Sequence, residues 1–155
     1  MRLWRLSSVR RARDFDGGYG LSNDGRWNTR GRPVTYCATV PSLAILEKRV
    51  HVSDVGLLPP QALVEYHVPD DLPSLEMRID RLPADWRRRQ AHTQMLGDEW
   101  LDKTAQAMLI VPSVIVPIGG APDRNVLINH RYAEVARIAI TAVTPLRLDP
   151  RLFQP

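Results

Sequence analysis

Between Gly25 and Glu47 the chain gathers Gly25-Arg26-Trp27-Asn28, then Tyr36, then a carboxylate on the apolar side of an expected helix. A guanidinium, an aromatic hydroxyl and an acid thus fall where the surrounding pattern implies partial burial. Buried charge is costly unless paired, so the cluster asks for a chemical reason. A guanidinium offers a planar fork of donors suited to oxyanions. A carboxylate among water-excluding neighbours can stabilise positive charge. Ser113, directly after Pro112, adds a hydroxyl farther along. Taken singly, each residue has an ordinary structural reading. Arg26 can be solvated in a polar loop, and Glu47 can pair with Lys48, Arg49 or His51. Tyr36 can be strand core, and Ser113 a kink residue.

The elements that would position these groups follow from local pattern. Leu3 to Leu6 alternates apolar and charged residues and reads as a first strand. Ser7 to Pro33 is a long Gly-, Asn-, Asp- and Arg-rich connection anchored by Tyr19, Leu21 and Trp27. Val34 to Thr39 has the β-branched and aromatic content of a strand. Thr39 can cap a helix that opens with Pro41 and runs to about His51, with Leu43, Leu46 and Val50 on the face that carries Glu47. Ala62 to Val68 and Ser74 to Ile79 read as further strands. Asp98 can cap a helix through about Ala107, with Trp100, Leu101, Ala105 and Met108 turned to the core. Leu109 to Pro117 reads as a strand pair or one bent strand broken at Pro112. Asn125 to Asn129 is a short strand or turn, and Arg137 to Leu148 a closing strand interrupted at Pro145. Strands outnumber helices without strict alternation, so the fold class is α+β, a mixed β-sheet core with a few helices. The 155 residues are expected to form one domain.

Composition narrows the function classes. An apolar fraction of 44% and a charged fraction of 25% suit a globular protein. No apolar run reaches the roughly 18 residues of a membrane helix. The segment Met1–Leu6 turns polar too early for a signal peptide, which points to the cytoplasm. Cys37 alone cannot form an intrachain disulfide, and the four histidines have no metal or triad spacing. The net charge of +4 is unevenly spread: Arg2, Arg5, Arg10, Arg11 and Arg13 precede the first acid, and Arg87-Arg88-Arg89 form a second cluster. Such patches suit nucleic acid, an acidic partner or a phosphate-bearing ligand. No helix-turn-helix, zinc or RNA motif accompanies them, which disfavours direct DNA binding.

Gly25-Arg26-Trp27-Asn28, Val34-Thr35-Tyr36, Ala44-Ile45-Leu46-Glu47, Gly97-Asp98-Glu99-Trp100-Leu101 and Val111-Pro112-Ser113 together resemble the RES family, named for its Arg, Glu and Ser. Asn125-Val126-Leu127-Ile128-Asn129 is a weaker match. The resemblance spans nearly the whole chain. It departs from the family after Asn129, where His130-Arg131-Tyr132 replace a Pro-containing turn.

That resemblance implies a toxin of a type II toxin–antitoxin pair, with a fold similar to ADP-ribosyltransferase toxins. It also implies NAD as substrate, cleaved at the nicotinamide–ribose bond without a metal. Glu47 would stabilise the charge on the ribose, and Arg26 would pair with the pyrophosphate. Tyr36 would stack on nicotinamide or position the ribose. Ser113 would hydrogen-bond the nicotinamide amide or the ribose, and Arg5 and Trp27 are secondary binding candidates. The acceptor stays open among water, phosphate and a protein side chain. An ADP-ribosyltransferase of one cellular protein and a non-catalytic NAD- or nucleic-acid-binding module are the other readings. The implied partner is an antitoxin with a helix-turn-helix domain that covers the active site, and self-association is compatible with such a complex.

Overall fold

The computed structural model describes residues 1–52 and 58–153. Its strands are Arg2–Ser8 (β1), Val34–Ala38 (β2), Gln61–His67 (β3), Ser74–Glu76 (β4), Met108–Pro112 (β5), Arg124–Asn129 (β6) and Ala139–Leu146 (β7). The helices are Gly18–Ser22 (α1), Pro41–Val50 (α2) and Gln90–Lys103 (α3). One mixed sheet runs in the order β4-β5-β6-β2-β1-β3-β7. Among the described residues only the β4–β5 pair is parallel. The fold is therefore α+β, with long-range antiparallel pairing at its centre.

Side chains alternate across a strand, so each face collects residues of one parity. Leu3, Cys37, Val64, Tyr66, Val126 and Ile128 build the core on one face. The other face carries Trp27, Val34, Trp100, Leu101, Leu109, Val111 and Leu127. Beside them lie Trp4, Ala38, Leu43 and Ala44. Helices α2 and α3 thus cover the same face, α2 through Leu43 and Ala44, α3 through Trp100 and Leu101. Each fully buried Leu contributes about 1.5–3 kcal/mol of apolar burial, which seats α2 over β1 and β2 and α3 over β5 and β6.

Several local expectations are corrected. Helix α3 begins at Gln90, well before Asp98, so Asp98 lies mid-helix and caps nothing. The helix ends at Lys103 and Ala105 is exposed, while Met108 reaches the core as expected, from β5. The strand from Leu109 stops at Pro112, and Ser113 onward leaves the sheet. Thr39 does not cap α2: its hydroxyl accepts from the Arg124 amide at 2.9 Å and donates to the Pro122 carbonyl. Val50 is exposed rather than core-facing. Pro145 does not interrupt the last strand, because β7 is an edge strand where a missing donor is tolerated.

Candidate active site

Glu47 sits on α2, over the sheet face that carries Trp4 and Ala38. Its Oε1 accepts from Ser113 Oγ at 3.0 Å and from Asn125 Nδ2 at 2.6 Å. Ser113 is fully buried just past the end of β5. Its Oγ also accepts the amides of Ile115 at 3.0 Å and Val116 at 3.2 Å. The hydroxyl proton is committed to Glu47 and the lone pairs to the backbone, so Ser113 fixes the carboxylate and the turn together. Among the described residues no donor reaches Glu47 Oε2. One oxygen is anchored and the other is not.

Tyr36 and Asn125 lie on the same sheet face. Tyr36 pairs with Leu127 and Ala38 with Asn125 across β2 and β6, which makes Tyr36 and Asn125 diagonal neighbours about 7–8 Å apart. The Tyr36 hydroxyl donates to Asn28 Oδ1 at 2.7 Å and accepts from the Trp27 amide at 3.1 Å. Burial pushes its pKa far above the ordinary phenol value, so it remains a donor. The hydroxyl therefore fixes the Gly25–Asn28 turn. A Cβ at Gly25 would come within 2.5 Å of that hydroxyl and 2.4 Å of Asn28 Oδ1, hence the glycine.

Helix α3 clamps the same turn from behind. Thr93 Oγ1 donates to the Arg26 carbonyl at 2.7 Å, and Gln94 Nε2 to the Gly25 carbonyl at 2.9 Å. Asp98 accepts from the Thr29 amide at 2.9 Å and the Thr29 hydroxyl at 2.7 Å. One turn later Asp102 receives Arg32 at 2.8 Å and Arg131 at 2.7 Å. The Arg32 hydrogen bond holds the Asp102 carboxyl below its ordinary range. These positions share one helical face by their spacing. They form a polar ruler along which residues 25–32 are laid.

The sequence candidates are thereby sorted. Glu47 and Ser113 touch, with Asn125 joining them. Arg26 is half-buried, and its Nη2 donates to the Arg87 carbonyl at 2.9 Å, leaving the rest of the guanidinium available. Trp27 is 1% exposed and packs on Trp86 at 6.1 Å between ring centres, so it is core rather than a ligand platform. Arg5 has the strand parity of Leu3, which puts it on the sheet face opposite Glu47. There it donates to the Asp14 carbonyl at 2.7 Å and lies over the Tyr66 ring. His130 also belongs to that far face: its Nε2 is 2.8 Å from Thr35 Oγ1, and burial pushes its pKa down to about 4. Burial likewise pushes the Cys37 thiol up to about 12, which makes it inert. Asn28, Thr93, Gln94 and Asn125 carry no role in the sequence pattern. Their only signal there is position inside or beside the matched segments. Among the described residues no group of His, Cys, Asp and Glu is arranged to hold a metal ion.

Residues 2–149 match the RES domain. The chain belongs to the RES family. It is 36% identical to a protein named Toxin Res from Pseudomonas putida, over 99% of this chain and 100% of that one. It is 34% identical to the Prs ADP-ribosylating toxin of a Sphingobium species, over 97% of this chain and 96% of the relative. A chain in the crystal structure of the M. tuberculosis MbcT-MbcA toxin–antitoxin complex superposes with a TM-score of 0.70. That likeness covers 98% of this chain and 86% of the other at 14% identity, and so speaks for the fold.

Proposed function

We propose that this RES protein is the toxin of a type II toxin–antitoxin pair, a single catalytic domain that consumes NAD by breaking the nicotinamide–ribose bond. The observation that carries the reading is the half-anchored carboxylate: Glu47 Oε1 is held by Ser113 and Asn125, and no described residue donates to Oε2. In the reaction the C–N bond of the anomeric carbon breaks and its electron pair leaves with the pyridinium nitrogen as neutral nicotinamide. Positive charge then develops on the ribose, as in glycoside hydrolysis. A carboxylate with one oxygen fixed needs no reorganisation to meet that charge. Arg26 supplies oriented donors to the pyrophosphate, and Tyr36, protonated and fixed at its hydroxyl, presents its ring beside the sugar. Ser113 acts as a positioning residue, because its hydroxyl is fully engaged within the protein.

The acceptor closes the cycle: water gives ADP-ribose, phosphate gives its 1-phosphate, and a protein side chain gives an ADP-ribosylated target. The named ADP-ribosylating relative favours keeping the last as a second reading. The test is the purified chain incubated with NAD, with nicotinamide followed over time. In parallel, adenine-labelled NAD is added to a lysate. Label on one protein band supports transfer, label only in small molecules supports hydrolysis or phosphorolysis, and no nicotinamide at all sinks the enzyme. The proposed setting is the cytoplasm, with a helix-turn-helix antitoxin covering the site. Adding that antitoxin is expected to stop the release.

Asn125 gives a sharper expectation. In Asn125→Asp a second carboxylate stands where Nδ2 now lies 2.6 Å from Glu47 Oε1. The hydrogen bond to Oε1 is lost and the two carboxylates repel, so Glu47 no longer meets the developing charge from a fixed position. Nicotinamide release should show kcat lowered by roughly tenfold or more in Asn125→Asp, and by less in Asn125→Ala, which loses the hydrogen bond without adding a charge. A wild-type kcat in Asn125→Asp would remove Asn125 from the carboxylate's control.

A further inference from the structure

A cleft of about 420 Å³ is bounded by Ala84, Asp85, Arg87, Arg88 and Val114. Val114 directly follows Ser113, so the cleft opens next to the residue that holds Glu47. Its other wall is the short helical turn Trp86–Arg88. That turn is anchored by Trp86, which is 3% exposed and packs on Trp27. The Arg26 guanidinium donates to the Arg87 carbonyl and so stands at the rim. Three guanidiniums thus belong to one small region.

The charge there is not balanced from within. The single carboxylate of the cleft, Asp85, is engaged by Arg89 at 2.8 Å and held below its ordinary range by that hydrogen bond. Among the described residues the Arg87 and Arg88 side chains form no hydrogen bond or direct ion pair, and the one carboxylate that feels Arg88, Asp85, is already bonded to Arg89. Neighbouring like charges repel, and an anion relieves them. A volume of this size also falls within the range of small-ligand sites.

We propose that Arg87 and Arg88 form a phosphoryl-binding subsite, with Arg26 at its edge. Its ligand is either the diphosphate of the dinucleotide or free inorganic phosphate. The proposal rests on the reading of NAD as substrate and extends that site to two arginines outside the family's namesake residues. Each guanidinium offers a planar fork of charge-assisted hydrogen bonds to phosphoryl oxygens.

Calorimetric titration of the full chain with ADP, adenosine and inorganic phosphate tests it. Arg87→Ala/Arg88→Ala is compared with the charge-matched Arg10→Ala/Arg11→Ala, and Arg26→Ala serves as a positive control. The Arg87/Arg88 variant is expected to bind ADP at least tenfold more weakly with adenosine affinity unchanged, and Arg10/Arg11 to match wild type. Loss of inorganic phosphate binding with ADP binding intact assigns the subsite to free phosphate. Unchanged affinity for both anions, or an equal loss in Arg10/Arg11, overturns the subsite, as does a wild-type chain that binds neither anion. Wild type that binds ADP in this pattern but releases no nicotinamide from NAD would sink the enzyme reading and leave the subsite standing. Nicotinamide release by wild type together with unaltered anion binding in the Arg87/Arg88 variant does the reverse.

Discussion

Replacing Glu47 by Gln is expected to abolish nicotinamide release while leaving the fold intact. The amide is nearly isosteric with the carboxylate, and its carbonyl can occupy the Oε1 position. There it still accepts from Ser113 and Asn125, whose donors lie 3.0 Å and 2.6 Å away. What disappears is the negative charge, and the Oε2 position now carries an NH₂ group that cannot accept from a ribose hydroxyl. Loss of one oriented electrostatic group costs on the order of 10²–10³-fold in kcat elsewhere. The Glu47→Gln variant should therefore fall at least that far, with KM little changed and the thermal midpoint near wild type. Rates measured by nicotinamide release, with circular dichroism melting alongside, decide it. A Glu47→Gln protein that turns over at the wild-type rate removes Glu47 from the chemistry.

The route from sequence to this carboxylate is short for some residues and closed for others. The strand Val34–Ala38 is legible because β-branched and aromatic residues pack on a pleated surface. Glu47 stands out because it interrupts an apolar helical stripe, and a charge in that setting is a local inconsistency. Helix α3 shows the opposite case. Its first half, Gln90 to Leu96, lacks a strong apolar stripe, because part of that face meets the backbone of residues 25–29 through hydrogen bonds. Apolar periodicity cannot reveal a helix surface that packs through polar groups, so the pattern places the start at Asp98 instead. Arg5 misleads for a topological reason. Strand parity separates it from Trp4, but which parity faces α2 depends on β1 pairing with β2 at Trp4 and Ala38. That pairing joins segments far apart in the chain and has no local signature. Asn125 is hidden in the same way: it becomes a ligand of Glu47 only once β6 lies beside both β2 and β5.

The second large effect is expected at Gly97, which touches no proposed substrate. Helix α3 passes so close to the Gly25–Asn28 turn that a Cβ at Gly97 would stand 1.8 Å from the Trp27 carbonyl oxygen and 2.8 Å from its carbonyl carbon. Intrinsic propensity argues the other way, since Ala in a helix interior is about 1 kcal/mol better than Gly. The overlap wins, because the obstacle is backbone that cannot rotate aside. The Trp27 amide is held by Tyr36, and the flanking carbonyls of Gly25 and Arg26 are held by Gln94 and Thr93. Overpacking typically costs about 1–3 kcal/mol, and so severe an overlap belongs at or above the upper end. A net loss of about 2 kcal/mol in Gly97→Ala lowers the thermal midpoint by roughly 4–8 °C in a chain of this size. Because the displaced turn carries Arg26 and is held by Tyr36, KM for NAD should rise as well. Gly119→Ala is the control: a Cβ there meets only Ile79 Cγ2 at 3.4 Å, an ordinary contact. A Gly97→Ala protein that melts with wild type and keeps its KM would mean that α3 does not set the position of Arg26, and the clamp would have to be sought in Tyr36 and Asn28 alone.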